Sequence, residues 1–178
     1  DLSLRLAIAG NIMDYGANNN FDVKKTIHQV ISADFAIDDS LLLKQKIQQA
    51  HKILYLGDNA GEIVFDKLFI ETIMHNNVVY VVKGAPILND VTMKDADEVG
   101  MNLVSDVISN GYGAPSTIIR KCSVEFKKIF QEADLIISKG QGNLEGLINQ
   151  HDPRVFFLLM VKCDVIAELI NVKAGDFV

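Results

Sequence analysis

Short apolar runs alternate with loops and helical stretches from residue 52 onward. The runs are rich in Val, Ile and Leu, which favours strands, and they cover residues 53–56, 78–82, 103–108, 135–138 and 155–160. Because strand and helix patterns alternate, we predict a mainly parallel sheet with right-handed crossovers and helices on both faces. Residues 52–178 are therefore expected to form one α/β domain.

The first fifty residues carry a helical pattern instead. Apolar spacing and residues that can cap a helix predict three helices, over residues 2–14, 22–31 and 39–52. We interpret residues 1–51 as a helical segment of an all-α part. Asn11 and Asp14 share one face of the first helix. A surface pair is the ordinary interpretation of this spacing, and a pair directed into a site is the alternative.

Composition excludes several classes of protein. Apolar residues make up 49% and charged residues 22% of the chain, which is typical of a soluble globular protein. The formal net charge is -6 and the 17 basic residues are scattered, so we expect no nucleic-acid partner. The longest apolar runs are too short to span a bilayer, and Cys122 and Cys163 have no paired spacing. These features favour a cytoplasmic protein without a disulfide framework.

The loops after the predicted strands are the first place to look for chemistry, because ligands bind beyond the carboxyl ends of parallel strands. These loops are polar and rich in glycine, and they cover residues 57–62, 83–90, 110–111, 139–143 and 162–164. This edge of the sheet is therefore the expected place of a binding or active site.

A pair of one Asp and one Asn follows each of two neighbouring strands: Asp58 and Asn59 after the first, Asn89 and Asp90 after the second. A turn that caps the next helix is one interpretation of the first pair. Adjacent parallel strands would, however, bring the two loops together, so that two carboxylates and an amide oxygen converge. Such hard ligands suit Mg²⁺ or Mn²⁺, with positions left for water and a phosphate oxygen. We predict a divalent cation held by oxygen ligands at the Asp58–Asn59 turn.

Lys139 ends an otherwise apolar run and is followed by Gly140, Gly142 and Asn143. An ordinary strand-to-helix turn is one interpretation. The alternative is a phosphate cradle, in which N–H groups of a helix that begins near Asn143 bind an anion and Lys139 adds a point charge. A chain of net charge -6 needs local positive charge to hold a phosphate ester, and Lys83 would add to it.

Other motifs are weaker. The spacing Gly140-x-Gly142-x3-Gly146 imitates a dinucleotide-binding fingerprint, but only one predicted strand follows it. Cys163 is expected to be a buried structural thiol, because no histidine falls at a strand end to activate it. The histidines lie in or beside predicted helices, where solvent-facing or loop roles are expected: His28, His51, His75 and His151.

Three longer segments carry recognisable motifs: GDNAGEIVFD at residues 57–66, KGAPILNDVTMKDA at 83–96 and ADLIISKGQGNLEGL at 133–147. Together, and in this order, they resemble the DUF89 family, also called the ARMT1-like or damage-control phosphatase family. The resemblance covers most of residues 52–162 and is closest to the short archaeal and bacterial branch. It implies a Rossmann-like α/β part beside an all-helical part, and a metal-dependent phosphatase of small phosphorylated metabolites.

The resemblance also assigns roles to residues. It implies metal ligation by Asp58, Asn59 and Asp90, and contact of Lys139 with the bound phosphate. The segment AGNIMDYG at residues 9–16 is similar to a helical segment of the family that carries an Asn and an Asp near the site, which supports substrate roles for Asn11 and Asp14.

The chain departs from the family at its start. The family's helical N-terminal region and the Cys pair of the short branch are not found ahead of Asp1, so we expect a truncated helical part. If that region lines the pocket, it or another copy of the chain would complete the site.

The leading hypothesis is hydrolysis of phosphomonoesters such as sugar phosphates, with Mg²⁺, Mn²⁺, Co²⁺ or Ni²⁺ as Lewis acid. Lys139 and the amides of residues 140–143 would neutralise developing charge. Direct attack by water is favoured over phosphorylation of Asp58, with Glu62 or Asp90 as the base. Two alternatives stay open: an S-adenosylmethionine-dependent carboxyl methyltransferase, and a non-catalytic module that binds a sugar phosphate or nucleotide.

Overall fold

The computed structural model describes residues 2–13 and 31–178. The strands are β1 (Ile53–Leu56), β2 (Val78–Val82), β3 (Asp106–Ser109), β4 (Leu135–Lys139) and β5 (Val155–Leu158). The helices are α1 (Leu2–Met13), α2 (Ser40–Gln49), α3 (Ile63–Ile73), α4 (Met93–Glu98), α5 (Val124–Glu132), α6 (Gln141–Leu147) and α7 (Asp164–Ile170). Short 3₁₀ turns lie at Met101–Leu103, Ile119–Lys121 and Ile148–Gln150.

The five strands form one sheet in the order β3-β2-β1-β4-β5. Every pair of neighbours is parallel, which confirms the predicted α/β architecture. The chain builds outward from β1 to β3, then returns to place β4 on the other side of β1. Between β1 and β4 the strand order therefore reverses, and in such sheets the crevice at this point is the usual ligand site.

Each strand sends alternate side chains to opposite faces of the sheet, and both faces are covered. On one face Ile53, Tyr55 and Ile137 share a core with Phe69 of α3. On the other, the core contains Leu54, Leu56 and Ile136 of the central strands, and Phe126 and Phe130 of α5. Because both faces are buried, the central strands are mainly apolar, with Ser138 and Lys139 as the polar exceptions at the end of β4.

The two N-terminal helices pack on the first of these faces. Leu4 and Ile8 of α1, and Leu43 and Ile47 of α2, belong to the same core as Tyr55. In addition, the Ala36 N–H donates to the carbonyl of Phe177 near the C-terminus at 2.9 Å. The described part of residues 1–51 therefore shares its core with the α/β domain.

Some boundaries differ from those predicted. The third strand begins at Asp106 rather than residue 103, because residues 101–103 form a 3₁₀ turn after Gly100, whose φ is 65°. The fifth ends at Leu158 rather than residue 160. The helix predicted to reach residue 52 ends at Gln49. Residues 22–30 of another predicted helix lie outside the described residues. None of the helices that the structure describes is long and apolar enough to cross a membrane.

The packing of α1 predicts a stability difference between two of its positions. Ile8 is 1% exposed in the shared core, whereas Leu2 on the same helix is 55% exposed. We expect Ile8→Ala to lower the free energy of unfolding by about 2–5 kcal/mol, and Leu2→Ala to change it by less than about 0.5 kcal/mol. Urea unfolding measures both, and equal effects would show that α1 does not share the core.

Candidate active site

The loops that follow β1 and β2 are joined by backbone hydrogen bonds. The Val91 N–H donates to the Asp58 carbonyl and the Ala60 N–H to the Asn89 carbonyl, both at 2.8 Å, around an antiparallel bridge between Asn59 and Asp90. The predicted convergence of the two loops that carry these Asp-Asn pairs is therefore confirmed. Asp58 and Asn59 do not cap a helix, because α3 begins later, after Glu62.

Two buried carboxylates, those of Asp58 and Asp90, form an acidic pair at this junction. Asp58 is 6% and Asp90 is 7% exposed. Burial raises the pKa of Asp58 to about 6; the positive charge of Lys83 opposes this shift, and the negative charge of Asp90 adds to it. Paired carboxylates that are withdrawn from water repel each other unless a cation compensates them.

The amide of Asn59 has a defined orientation. Its Nδ2 donates to Glu62 Oε1 at 2.6 Å and to Asp58 Oδ2 at 3.1 Å. Because the nitrogen faces these two acceptors, Oδ1 is the amide atom that could ligate a cation.

The donor set fits a hard divalent cation. It offers carboxylate oxygens from Asp58 and Asp90 and an amide oxygen from Asn59, which suit Mg²⁺ or Mn²⁺ when water and substrate supply the remaining ligands. Within residues 2–13 and 31–178, no group of three or more His, Cys, Asp or Glu side chains could enclose a metal. Three protein oxygens are fewer than the roughly six ligands that Mg²⁺ takes, so positions would stay open for water and substrate.

The turn after β4 lies directly against Asp58. Gly140 has φ 76° and ψ 160°, a conformation that glycine adopts far more easily than other residues. A Cβ atom at Gly140 would collide with the Asp58 carboxylate, and one at Gly142 would collide with the carbonyl of Pro115. Both glycines therefore permit close approach of the chain.

The start of α6 differs from its prediction. The helix begins at Gln141 rather than near Asn143. The Gly140 N–H donates to the carbonyl of Leu158 at 3.0 Å, so it is not available to an anion. The N–H groups of Gln141, Gly142 and Asn143 belong to the first helical turn, where amides have no intrahelical acceptor.

The side chain of Asn143 joins four parts of the site. Its Nδ2 donates to the carbonyls of Gly57 at 3.1 Å and Lys139 at 2.9 Å. Its Oδ1 accepts from Lys83 Nζ at 2.9 Å and from Thr117 Oγ1 at 2.8 Å. All four hydrogen-bonding positions of the amide are used, so only the backbone of Asn143 could bind phosphate in this arrangement.

Lys83 is placed beside the acidic pair. Its Nζ lies 3.9 Å from Asp90 Oδ2 and is held by the bond to Asn143. Burial lowers the pKa of Lys83, while the negative charges of Asp58 and Asp90 counteract that shift. Lys83 therefore brings positive charge to the same edge of the sheet as the carboxylates.

Lys139 is the last residue of β4, and its side chain is fully buried. Its Nζ lies 2.7 Å from both Glu62 Oε2 and Asp66 Oδ1. Burial alone would lower the pKa of Lys139, but the two carboxylates raise it above its ordinary value. Burial raises the pKa of Glu62 to about 7, and Lys139 opposes that rise.

Sequence reasoning missed the far end of this cluster. Asp66 accepts hydrogen bonds from Tyr55 Oη at 2.7 Å and Tyr80 Oη at 2.9 Å. Tyr55 and Tyr80 are paired across β1 and β2 and stack at 5.4 Å between ring centroids. The available signal was an Asp four residues after Glu62, on the face of α3 that the apolar pattern buries.

The remaining predicted residues lie apart or outside the description. Asn11 belongs to α1, beside Gly10, which packs against Glu62; the structure does not describe the side chain of Asn11, and Asp14 lies outside the described residues. Cys163 is half-buried at the start of α7, so its prediction as a buried thiol was wrong, because it packs against the edge of a core cluster and not inside it. The buried cysteine is Cys122, and burial raises its pKa to about 11.

The three histidines that the structure describes make no contact with the residues of this site. His51 and His151 are exposed, as expected. His75 is half-buried, and its Nε2 lies 2.9 Å from the carbonyl of Ala50. His28 lies outside the described residues.

Comparisons with known proteins agree with the fold. The damage-control phosphatase ARMT1-like domain matches residues 2–178. The chain is 41% identical to an uncharacterized protein of Methanocaldococcus jannaschii, over 95% of the chain and 58% of that protein. It is 37% identical to a damage-control phosphatase of Pyrococcus horikoshii, over 100% of the chain and 63% of that protein. The crystal structure of a DUF89 family protein from P. horikoshii gives a TM-score of 0.92 at 36% identity, over 99% of this chain and 63% of that one. The chain thus spans about three fifths of the length of these relatives.

The buried acidic pair predicts that removing one charge stabilises the metal-free chain. The pKa of Asp58 is about 6 in the folded chain, above the ordinary 3.8, so its ionisation opposes folding at pH 7.5. In the presence of EDTA, we expect Asp58→Asn to raise the free energy of unfolding by about 1–3 kcal/mol. The gain should shrink at pH 5, where the wild-type carboxyl is protonated. A loss of stability at pH 7.5, measured by urea unfolding, would contradict this account.

The contact between Gly140 and Asp58 predicts a difference between two glycines. We expect Gly140→Ala to lower the free energy of unfolding by more than about 2 kcal/mol, because of strained φ and the collision with Asp58. Gly61→Ala is the matched control, since a Cβ at Gly61 meets nothing within 4 Å. It should change stability by less than about 0.5 kcal/mol. Thermal unfolding of both variants tests the close approach, and equal stabilities would argue against it.

Proposed function

The chain belongs to the damage-control phosphatase ARMT1-like domain family, and on this premise we propose that it is a metal-dependent phosphatase of small phosphorylated metabolites. Phosphomonoesters such as sugar phosphates are the proposed substrates. The activity itself is part of the proposal, because the chain spans only 63% of the P. horikoshii relative that is named a damage-control phosphatase.

One observation carries the proposal: the bridge between Asn59 and Asp90 holds two buried carboxylates beside an oriented amide. The bridge joins the loops after β1 and β2, next to the strand-order reversal between β1 and β4. Such a cluster is unfavourable for the metal-free chain, because its negative charges are withdrawn from water. It becomes favourable when a divalent cation occupies it. The adjacent turn at residues 140–143 and the ammonium of Lys83 then offer a place for the negative charge of a phosphate.

Asp58, Asn59 through Oδ1, and Asp90 would hold the cation. Mg²⁺, Mn²⁺, Co²⁺ and Ni²⁺ all accept oxygen ligands of this kind. When bound, the cation supplies Lewis-acid polarisation of a phosphoryl oxygen.

The phosphate is assigned to the start of α6. The N–H groups of Gln141, Gly142 and Asn143 face the end of the helix that favours anions, and the charge of Lys83 adds to them. Lys139 contributes through its charge alone: burial raises the pKa of Asp58 and the positive charge of Lys139 opposes that rise, while the ammonium itself pairs with Glu62 and Asp66. Substrate roles for Asn11 and Asp14 remain part of this proposal.

The proposed reaction is attack of water on phosphorus, with cleavage of the ester P–O bond. The ester oxygen leaves with the metabolite and takes up a proton to give an alcohol, and inorganic phosphate is released. The water proton passes to a carboxylate. We favour Asp90 over Glu62 for this step, because both oxygens of Glu62 already accept hydrogen bonds, from Asn59 and Lys139.

The first experiment is phosphate release from a panel of small phosphomonoesters with each of the four cations. We expect metal-dependent turnover that falls at least about a hundredfold in Asp58→Asn and in Asp90→Asn, roughly 2.7 kcal/mol of transition-state stabilisation. Asp97→Asn is the matched control, since Asp97 is an exposed carboxylate on α4. Its turnover should equal that of the wild type.

Addition of EDTA separates the two enzymatic functions. It should abolish phosphate release, whereas methyl transfer from S-adenosylmethionine, measured in parallel, should survive it. If the folded chain binds cation and phosphate ester but releases no phosphate from any ester tested, the phosphatase proposal fails and a binding module takes its place.

A further inference from the structure

The orientation of one amide decides whether the proposed cation site has its third ligand. An asparagine can ligate a hard cation only through Oδ1, and the amide can rotate to present Nδ2 instead. Asn59 therefore needs neighbours that fix which end of its amide faces the cation.

The structure provides such neighbours in an unbroken chain of contacts. Asn59 Nδ2 donates to Asp58 Oδ2 at 3.1 Å and, at a shorter distance, to Glu62 Oε1 at 2.6 Å. The other oxygen of the Glu62 carboxylate, Oε2, accepts from Lys139 Nζ at 2.7 Å. Lys139 in turn donates to Asp66 at 2.7 Å. Because Lys139 pairs with Glu62 as a carboxylate, and a carboxylate can only accept, the amide end that faces Glu62 must be the donor end.

Asp66, at the far end of this series of contacts, has three hydrogen-bond donors. It accepts from the hydroxyls of Tyr55 and Tyr80 and from the ammonium of Lys139. Glu62 is confined from above as well, since a Cβ atom at Gly10 of α1 would lie 3.0 Å from its Cγ. Neither Glu62 nor Lys139 is exposed to solvent.

We propose that Glu62, held by Lys139 and Asp66, is a positioning residue that fixes the amide of Asn59 with Oδ1 toward the cation. The inference rests on the proposed function, because it requires a cation at Asp58, Asn59 and Asp90. It assigns Glu62 and Lys139 to the support of the metal site, in place of direct contact with water or phosphate. Their burial and mutual pairing carry that assignment.

Glu62→Gln is the informative change, because it keeps the shape and alters one donor. Lys139 can only donate, so the new amide must turn its oxygen toward Lys139 and its nitrogen toward Asn59. Asn59 must then accept at Oδ1, which turns its Nδ2 toward the cation. We expect the affinity for Mn²⁺, titrated alone by calorimetry, to fall about 10- to 100-fold.

Two controls accompany this titration. Glu71→Gln removes an exposed carboxylate from α3 and should bind Mn²⁺ as the wild type does. Asp58→Asn should abolish binding. If the wild type itself binds no Mn²⁺, the proposed metal site fails. If the wild type binds and Glu62→Gln binds within twofold of it, the metal site stands and the positioning role is overturned.

A rescue distinguishes orientation from general support of the fold. In Asn59→Asp the ligand is a carboxylate with two equivalent oxygens, so its orientation no longer matters. In the double variant, the amide nitrogen introduced by Glu62→Gln can donate to that carboxylate. Adding Glu62→Gln should therefore not weaken Mn²⁺ binding in the Asn59→Asp background. An equal loss in both backgrounds would contradict the proposal.

A measurement on the wild type needs no substitution. The side-chain ¹³Cγ resonance of Asn59 should shift when Mg²⁺ is added, while its Nδ2 protons stay protected from exchange with solvent. Rapid exchange of those protons in the Mg²⁺-bound chain would overturn the assigned orientation.

Discussion

The buried ammonium of Lys139 is the interaction on which the centre of the molecule depends. It joins β4 to α3 through two 2.7 Å ion pairs, and Asp66 extends the link to β1 and β2 through two tyrosine hydroxyls. A buried charge is tolerated only when its partners are present, and loss of one partner leaves another charge uncompensated. The strands and the helix at the heart of the sheet are therefore held in one relative position by groups that need each other.

The candidate site lies directly above this cluster and has the opposite character. Asp58 and Asp90 are brought together by hydrogen bonds between backbone groups, which do not depend on the charge of the two side chains. Burial and mutual repulsion leave the pKa of Asp58 raised, which marks an arrangement that is unfavourable for the isolated chain. Perturbed groups of this kind concentrate at functional sites, where a ligand supplies the missing charge.

Connections between the loops give the site its shape. Asn143 links the ends of β1 and β4 to Lys83 and Thr117 with every hydrogen bond that its amide can form. Gly140 lets the turn after β4 pass against Asp58. Residues that resemble ligands in the sequence thus divide into those that face the acidic pair and those that hold its loops together, and Asn143 acts through its side chain in the second group.

The sequence by itself determined the sheet, the edge at which the candidate site lies and the meeting of Asp58 with Asp90. Alternating apolar runs identify parallel strands, and the carboxyl ends of such strands must share an edge. Family motifs in the sequence also led to the proposed chemistry. Only the tertiary structure decided that Lys139 points into the interior, that Asp66 and two tyrosines belong with it, and that Glu62 accepts a hydrogen bond from Asn59. These pairings join residues that are distant in the chain, and the direction of a side chain at a strand end depends on packing that no local pattern encodes.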